Sequence, residues 1–131
     1  MTKKPIIGIT MGDPASIGPE IAIKALEHKK IYEICRPLLV GDAGVFRQIT
    51  QLLKLPVFIR AISEVKEAKF EYAKIDVLDL KNVDLDKLQP GVISAMAGNA
   101  SFEAVKKVID LALAGDIVAT VTGPINKKSI N

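Results

Sequence analysis

Hydrophobic and polar positions along this chain switch repeatedly between a strand-like and a helix-like period. "PIIGIT" (5–10) is a short Ile-rich run bounded by Pro5 and Gly12, as a buried parallel strand would be. Past Gly18, Pro19 suits a first helical position and Glu20 the positive first turn. Ile21, Ala22, Ala25 and Leu26 then recur at helical spacing, predicting an inward face on a helix with a basic end at His28-Lys29-Lys30. "RPLLVG" (36–41) predicts a second strand, and "DAGVFRQITQLLKL" a helix with Val45, Phe46, Ile49, Leu52 and Leu53 on one face. "PVFIRAI" (56–62) predicts a third strand.

The next stretch is more polar. "AKIDVLDL" (73–80) alternates like a half-exposed or edge strand, and "KNVDLDKLQPGVIS" reads as loop with a turn at Pro90-Gly91. From Asn99 or Ser101 a helix is expected to run to Ala114, with Phe102, Val105, Ile109 and Ala112 in register and Gly115 ending it. "DIVATVTG" (116–123) has the strongest strand pattern of all, β-branched and stopped by Gly-Pro. Alternating strands and helices of this kind predict an α/β fold: a largely parallel sheet with helices on both faces. No internal repeat or low-complexity linker interrupts it.

Composition narrows the class. The 131 residues are 49% hydrophobic and 25% charged, enough for one globular core with no internal boundary (1–131). The sequence stops soon after a strand candidate, so the chain is expected to be the front part of a longer protein. A net charge of +3 without long basic runs, no Trp, two Tyr and four Phe argue against a nucleic-acid partner. There is no apolar run of about 18 residues and no signal-peptide core, so neither a membrane span nor secretion is expected. A single cysteine, Cys35, lies among apolar residues and reads as a buried structural thiol in a reducing cytoplasm.

Ligands of open α/β sheets gather beyond the carboxyl ends of the strands. Two loops fall there, "TMGDPASIGP" after the first strand and "TGPINKKS" after the last. In the first, Gly12 and Gly18 allow close backbone approach, Asp13 supplies a carboxylate, and the following helix N-terminus favours an anion. Its glycine spacing matches neither the P-loop nor the dinucleotide fingerprint, and by spacing alone a tight strand-to-helix turn is the favoured reading. The second offers Thr122, Asn126 and Lys127 as hydroxyl, amide and ammonium. Lys127 can pair with a phosphate or carboxylate or transfer a proton, or be a solvated neighbour of Lys128. No metal set emerges: His28 is the sole histidine and reads as a helix-end residue. The pairs Asp76/Asp79 and Asp84/Asp86 lack the density of a Ca²⁺ loop.

"ITMGDPASIGPEI" closely resembles the "TMGDPAGIGPE" opening of the 4-hydroxythreonine-4-phosphate dehydrogenase family of pyridoxal 5′-phosphate synthesis. "GVISAMAGNASFEAVKKVIDLALAGDI" resembles that family's Gly-then-helix segment, and "IVATVTGPINKKSIN" its "AIVTAPINKEAL" strand and loop. Ser16 stands where the family usually has Gly, and Gly123 where Ala is common. The resemblance implies an isocitrate/isopropylmalate dehydrogenase-like fold of two α/β domains paired as a homodimer, of which this chain is the first part. It implies oxidation of 4-phosphooxy-L-threonine by NAD or NADP to a 3-oxo acid that decarboxylates. It implies a divalent metal (Zn, Mg or Co) held by residues outside this chain. Gly12, Asp13 and Gly18 would border the cofactor, Thr122, Asn126 and Lys127 the small phosphorylated hydroxy acid, with Asp13 and Lys127 catalytic. Paralogues acting on 4-phospho-D-threonate or D-erythronate are the alternative, as is an inactive α/β module that binds a small anion or self-associates.

Overall fold

The computed structural model of the chain describes residues 3–124. Five parallel strands form one sheet: β1 (Ile6–Thr10), β2 (Arg36–Gly41), β3 (Phe58–Ile62), β4 (Lys74–Asp79) and β5 (Ala119–Val121), in the order β3-β4-β2-β1-β5. Four helices connect or flank them: α1 (Gly18–Leu26), α2 (Lys29–Ile34), α3 (Ala43–Leu52) and α4 (Ala95–Leu113). The α1 and α3 side chains Ile23, Leu26, Val45 and Phe46 pack with Leu39, Ile75 and Val77 on one face. On the other, Ala104, Val108 and Leu111 of α4 pack with Leu38, Val40 and Leu78. Adjacent residues of β2 and β4 thus enter opposite cores, which is why both read as continuous apolar runs. The expected α/β sheet with helices on both faces is present.

Several local expectations are corrected. β4 is interior, between β3 and β2, and among the described residues the edge strands are β3 and β5. The alternation misled because Asp76 is buried with its charge satisfied: it lies opposite Arg60, whose Nη1 is 3.4 Å away, and accepts from the backbone N–H groups of Lys69 (3.2 Å) and Phe70 (2.8 Å). A buried carboxylate so bonded behaves as a core position. The inward stripe of α1 is Pro19, Ala22, Ile23 and Leu26, while Ile21 and Ala25 face solvent. α3 buries Val45 and Phe46 with Ile49 packed beside them, but its end outruns the core and leaves Leu52 and Leu53 exposed.

α4 begins at Ala95, earlier than expected, because Ser94 caps it: its Oγ accepts from the Ala97 N–H at 3.1 Å. Its sheet side is Ala97, Ala100, Ser101, Ala104, Val108 and Leu111. Of the stripe expected to face inward, Phe102 and Ile109 are about half exposed. Gly115 follows the helix at φ +84°, in the expected terminating conformation. The strongest strand pattern gives the shortest strand: β5 has three residues, all exposed, and among the described residues it pairs only with β1, while Ile117 before it is buried.

His28 is exposed at a helix end, as expected, but at the N-cap of α2: α1 stops at Leu26, so Lys29 and Lys30 open a second helix and do not form the expected basic end of α1. Cys35 is half-buried, its thiol donating to the Ile31 carbonyl at 3.4 Å, and burial pushes its pKa up. It has the environment of a structural thiol.

Tyr32 generates a test. Its ring packs edge-on to Tyr72, and its hydroxyl is buried without a hydrogen-bond partner among the described residues. Burial, with the Asp76 carboxylate behind it, holds its pKa well above the ordinary phenol value. The unfolded chain releases this proton first, so the neutral phenol supports the fold below about pH 10 and that support falls as pH rises further. Tyr32→Phe is expected to match the parent within about 1 kcal/mol at pH 7, since an unpartnered hydroxyl is lost. Above about pH 10 it should become the more stable of the two. Denaturant melts of both proteins at pH 7 and pH 10.5 check the crossover.

Candidate functional site

The chain leaves β1 through α1 on one sheet face and reaches β5 through α4 on the other, so β1 lies where the strand order reverses. In open parallel sheets such a switch point opens a crevice at the carboxyl ends of the strands. The N-termini of α1, α3 and α4 follow strand carboxyl ends and bring their partial positive charge to the same side. Both loops singled out in the sequence meet there.

Two hydrogen bonds join them. The Gly123 N–H donates to Thr10 Oγ1 at 2.8 Å, and the Asp13 N–H donates to the Pro124 carbonyl at 2.8 Å. Thr10 is fully buried, so its hydroxyl is committed to this role. Gly12 adopts φ +76°, and a Cβ on it would collide with the Pro124 carbonyl oxygen. A Cβ on Gly18 would come within 2.6 Å of the Met11 carbonyl oxygen, and one on Gly123 within 2.8 Å of that of Thr10. The close approach these glycines allow is therefore used by the chain's own backbone.

Asp13 is buried, 3% exposed, and its carboxylate accepts from the Ala15 N–H at 2.8 Å. A side chain bonded to the backbone two residues on closes an Asx turn and shapes the loop from within. Ser16 has no left-handed backbone, so the departure from the family's Gly carries no strain here. Its hydroxyl donates to the Asp13 carbonyl at 2.8 Å and accepts from the Gly18 N–H at 3.2 Å, bracing the entry to α1. The Gly91 N–H donates to the Ala15 carbonyl at 2.7 Å, and a cavity of about 90 Å³ lies between Asp13, Ser16 and residues 91–93. That volume holds water-sized groups, not a dinucleotide, so the described residues form a wall and not a cradle. Thr122 is exposed beside this wall. Asn126 and Lys127 lie outside the described residues.

Sequence reasoning found the two loops and missed what joins them. Thr10 ends a strand, where a lone threonine carries no signal, and the Pro124 and Ala15 acceptors are backbone atoms. Asp42, not singled out in the sequence, caps α3 by accepting from the Val45 N–H at 3.2 Å and accepts from the Val83 N–H at 3.0 Å, fastening the 80–94 loop beside the site. Among the described residues no three His, Cys, Asp or Glu side chains converge to hold a metal. No described helix is long and apolar enough to cross a membrane.

Thr10→Val should leave the Gly123 N–H unsatisfied and cost about 1–3 kcal/mol, whereas Thr10→Ser keeps the acceptor and should recover most of it. Gly12→Ala, strained in φ and colliding with Pro124, should cost about 2 kcal/mol. Urea denaturation of the three variants checks this ranking.

The family model described as "Pyridoxal phosphate biosynthetic protein PdxA" matches residues 33–131. A Clostridium botulinum protein named "Putative D-threonate 4-phosphate dehydrogenase" is 43% identical over 130 residues, and a Symbiobacterium thermophilum protein of the same name 45%. Each comparison covers 99% of this chain but 39% of the relative. The structure of a 4-hydroxythreonine-4-phosphate dehydrogenase from Burkholderia phymatum superposes with TM-score 0.94 at 40% identity, covering 98% of this chain and 39% of that one. Another of that name, from Klebsiella pneumoniae, superposes with TM-score 0.89 at 37% identity, covering 97% and 38%. The chain thus spans about two-fifths of the length of the relatives it matches, with the same strand and helix arrangement over that span. It belongs to the family described as pyridoxal phosphate biosynthetic protein PdxA.

Proposed function

We propose that this chain supplies one wall of the cleft of a dehydrogenase that oxidises the secondary alcohol of a small 4-phosphorylated hydroxy acid, using NAD or NADP. The observation that carries the reading is the junction of the 10–18 and 122–124 loops at the switch point, in a chain of this family. Such an oxidation removes a hydride from carbon and a proton from oxygen, so the cleft needs a hydride acceptor and a base. A bound nicotinamide supplies the acceptor, and a divalent metal would stabilise the alkoxide. Among the described residues no ligand set converges for a metal, and the cavity beside the 10–18 loop is only about 90 Å³, so both groups would rest largely on other parts of a family-length protein.

Each residue then has a proposed part. Asp13 positions the loop through its Asx turn, and Gly12 and Gly18 let that loop seat against Pro124 and Met11. Thr122, Asn126 and Lys127 follow β5 in sequence. Thr122 and Asn126 would bond polar groups of the substrate, and the Lys127 ammonium would pair with its anionic end or take the alcohol proton. Metal, homodimer and cytoplasmic location belong to this same reading.

Two substrates compete, 4-phosphooxy-L-threonine and 4-phospho-D-threonate, which differ in the C2 substituent. The curated relatives at 43–45% identity bear the D-threonate 4-phosphate name, which supports that substrate over the amino acid. Steady-state assays of a family-length protein on both should give the higher kcat/KM with 4-phospho-D-threonate; a preference for the amino acid would reverse the choice. In the same protein, Lys127→Ala should lower kcat/KM about 100-fold or more. Asp13→Asn, which keeps a turn acceptor, should stay within about tenfold of the parent while Asp13→Ala loses both stability and activity. A Lys127→Ala enzyme within twofold of the parent would sink the site assignment.

A further inference from the structure

The amino-terminal end of the sheet, opposite the candidate site, carries a groove of about 540 Å³ that the proposed function does not use. Four cationic side chains line it: Lys3 and Lys4 just before β1, Arg36 at the start of β2, and Lys69 in the turn before β4. No carboxylate lines the groove, and none of the four makes an ion pair among the described residues. Tyr32 and Phe70 supply an apolar wall.

The groove is built, not merely basic. Arg36 Nε donates to the Lys4 carbonyl at 2.6 Å, and its guanidinium lies 5.5 Å from the Phe70 ring centre. Stacked and tied at Nε, the fork is fixed, and its two terminal nitrogens have no partner among the described residues. Lys4 Nζ is held by the Tyr32 carbonyl at 2.8 Å. The turn presenting Lys69 is pinned as well: Phe70 takes φ +54°, costly for an aromatic residue, and buried Asp76 holds it there through the Lys69 and Phe70 N–H groups. Arg60 pairs with the same carboxylate at 3.4 Å from the β3 side, and Asp76 itself does not line the groove. Four like charges gathered on one rigid frame repel each other unless an anion joins them.

We propose that this groove binds a compact, multiply charged phosphate ligand, a diphosphate or a phosphate ester. The phosphates sit on the Arg36 fork and the flanking lysines, and any apolar part lies against Phe70 and Tyr32. Two or more charges on one small group match the cation count, and phosphate oxygens match a planar fork bidentately. The volume falls within the usual range for small-molecule sites. Lying at the far end of the strands, the ligand would act as an effector and not as a substrate of the cleft.

Inorganic pyrophosphate is the probe, titrated into the ¹⁵N-labelled chain at constant ionic strength. Saturable shifts are expected at the amides of Lys4, Cys35, Arg36, Lys69 and Phe70, with none at residues 12–18. Arg36→Lys keeps the charge but loses the fork, and should weaken binding about tenfold. Lys69→Gln, at an exposed position that cannot disturb the core, should weaken it severalfold with the rest of the spectrum unchanged. Linear, unsaturating shifts would overturn the proposal. So would equal binding by Arg36→Lys, or shifts confined to the 12–18 loop.

Discussion

The bond from the Gly123 N–H to Thr10 Oγ1 joins residues 113 apart in sequence, and the carboxyl end of the sheet is organised around it. Without it, β5 is three exposed residues paired to one neighbour, a marginal strand by any measure. With it, and with the Asp13–Pro124 bond beside it, the loop that leaves β1 and the loop that leaves β5 become one backbone surface. The constraint explains the residue types around it. Gly12 must turn left-handed under the Pro124 carbonyl, Gly18 must pass the Met11 carbonyl, and Asp13 must fold back on Ala15. The bareness of "GDPASIGPE" is first a packing requirement. A ligand would meet the surface these residues make, more than the glycines themselves.

That distinction also bears on what can be read from sequence. β1, β2 and β3 were legible because their side chains follow a simple rule, apolar run bounded by breakers. β4 was placed but mis-ranked, since Asp76 interrupts its apolar pattern and only the structure shows the carboxylate met by Arg60 and two N–H groups. β5 was over-read for the opposite reason: Val118 and Val121 are apolar yet exposed. Hydrophobicity reports what a residue would bury, and not whether anything lies above it. The two site loops were legible as positions, through Gly, Pro and polar side chains at strand ends. Their joining was not, because it rests on backbone carbonyls and one threonine.

The carboxyl-end and amino-end features also differ in the physics that makes them. At the carboxyl end, backbone donors, helix N-termini and a buried aspartate act over short distances within a tight wall. At the amino end, the charge sits on long side chains, and order comes from one stacked guanidinium and one strained turn. Buried Asp76 links that end to the core, since it pins the 69–70 turn and pairs across the β3–β4 register with Arg60. A single carboxylate on an interior strand thereby holds the turn that shapes the groove below it.

α4 gives the clearest case of packing overriding periodicity. Its sequence carries two apolar stripes, one of large residues (Phe102, Ile109, Leu113) and one of small ones (Ala97, Ala100, Ser101, Ala104). Size alone favours the first for a core. The sheet takes the second, continued by Val108 and Leu111, and Gly8 of β1 lies beneath Val108: a Cβ there would meet Ile117 Cδ1 at 2.8 Å and Val108 Cγ1 at 3.3 Å. The missing side chain of Gly8 leaves the space that Val108 and Ile117 fill, while Ala104 and Leu111 pack in the same core with Leu38, Val40 and Leu78. The large stripe is left facing outward, and Val118 just before β5 and Val121 within it are exposed as well. Exposed Lys106 and Asp110 interleave with the large residues of that stripe, so the outer side of α4 is mixed where the sheet side is small and apolar, and the choice of face follows fit and not summed hydrophobicity.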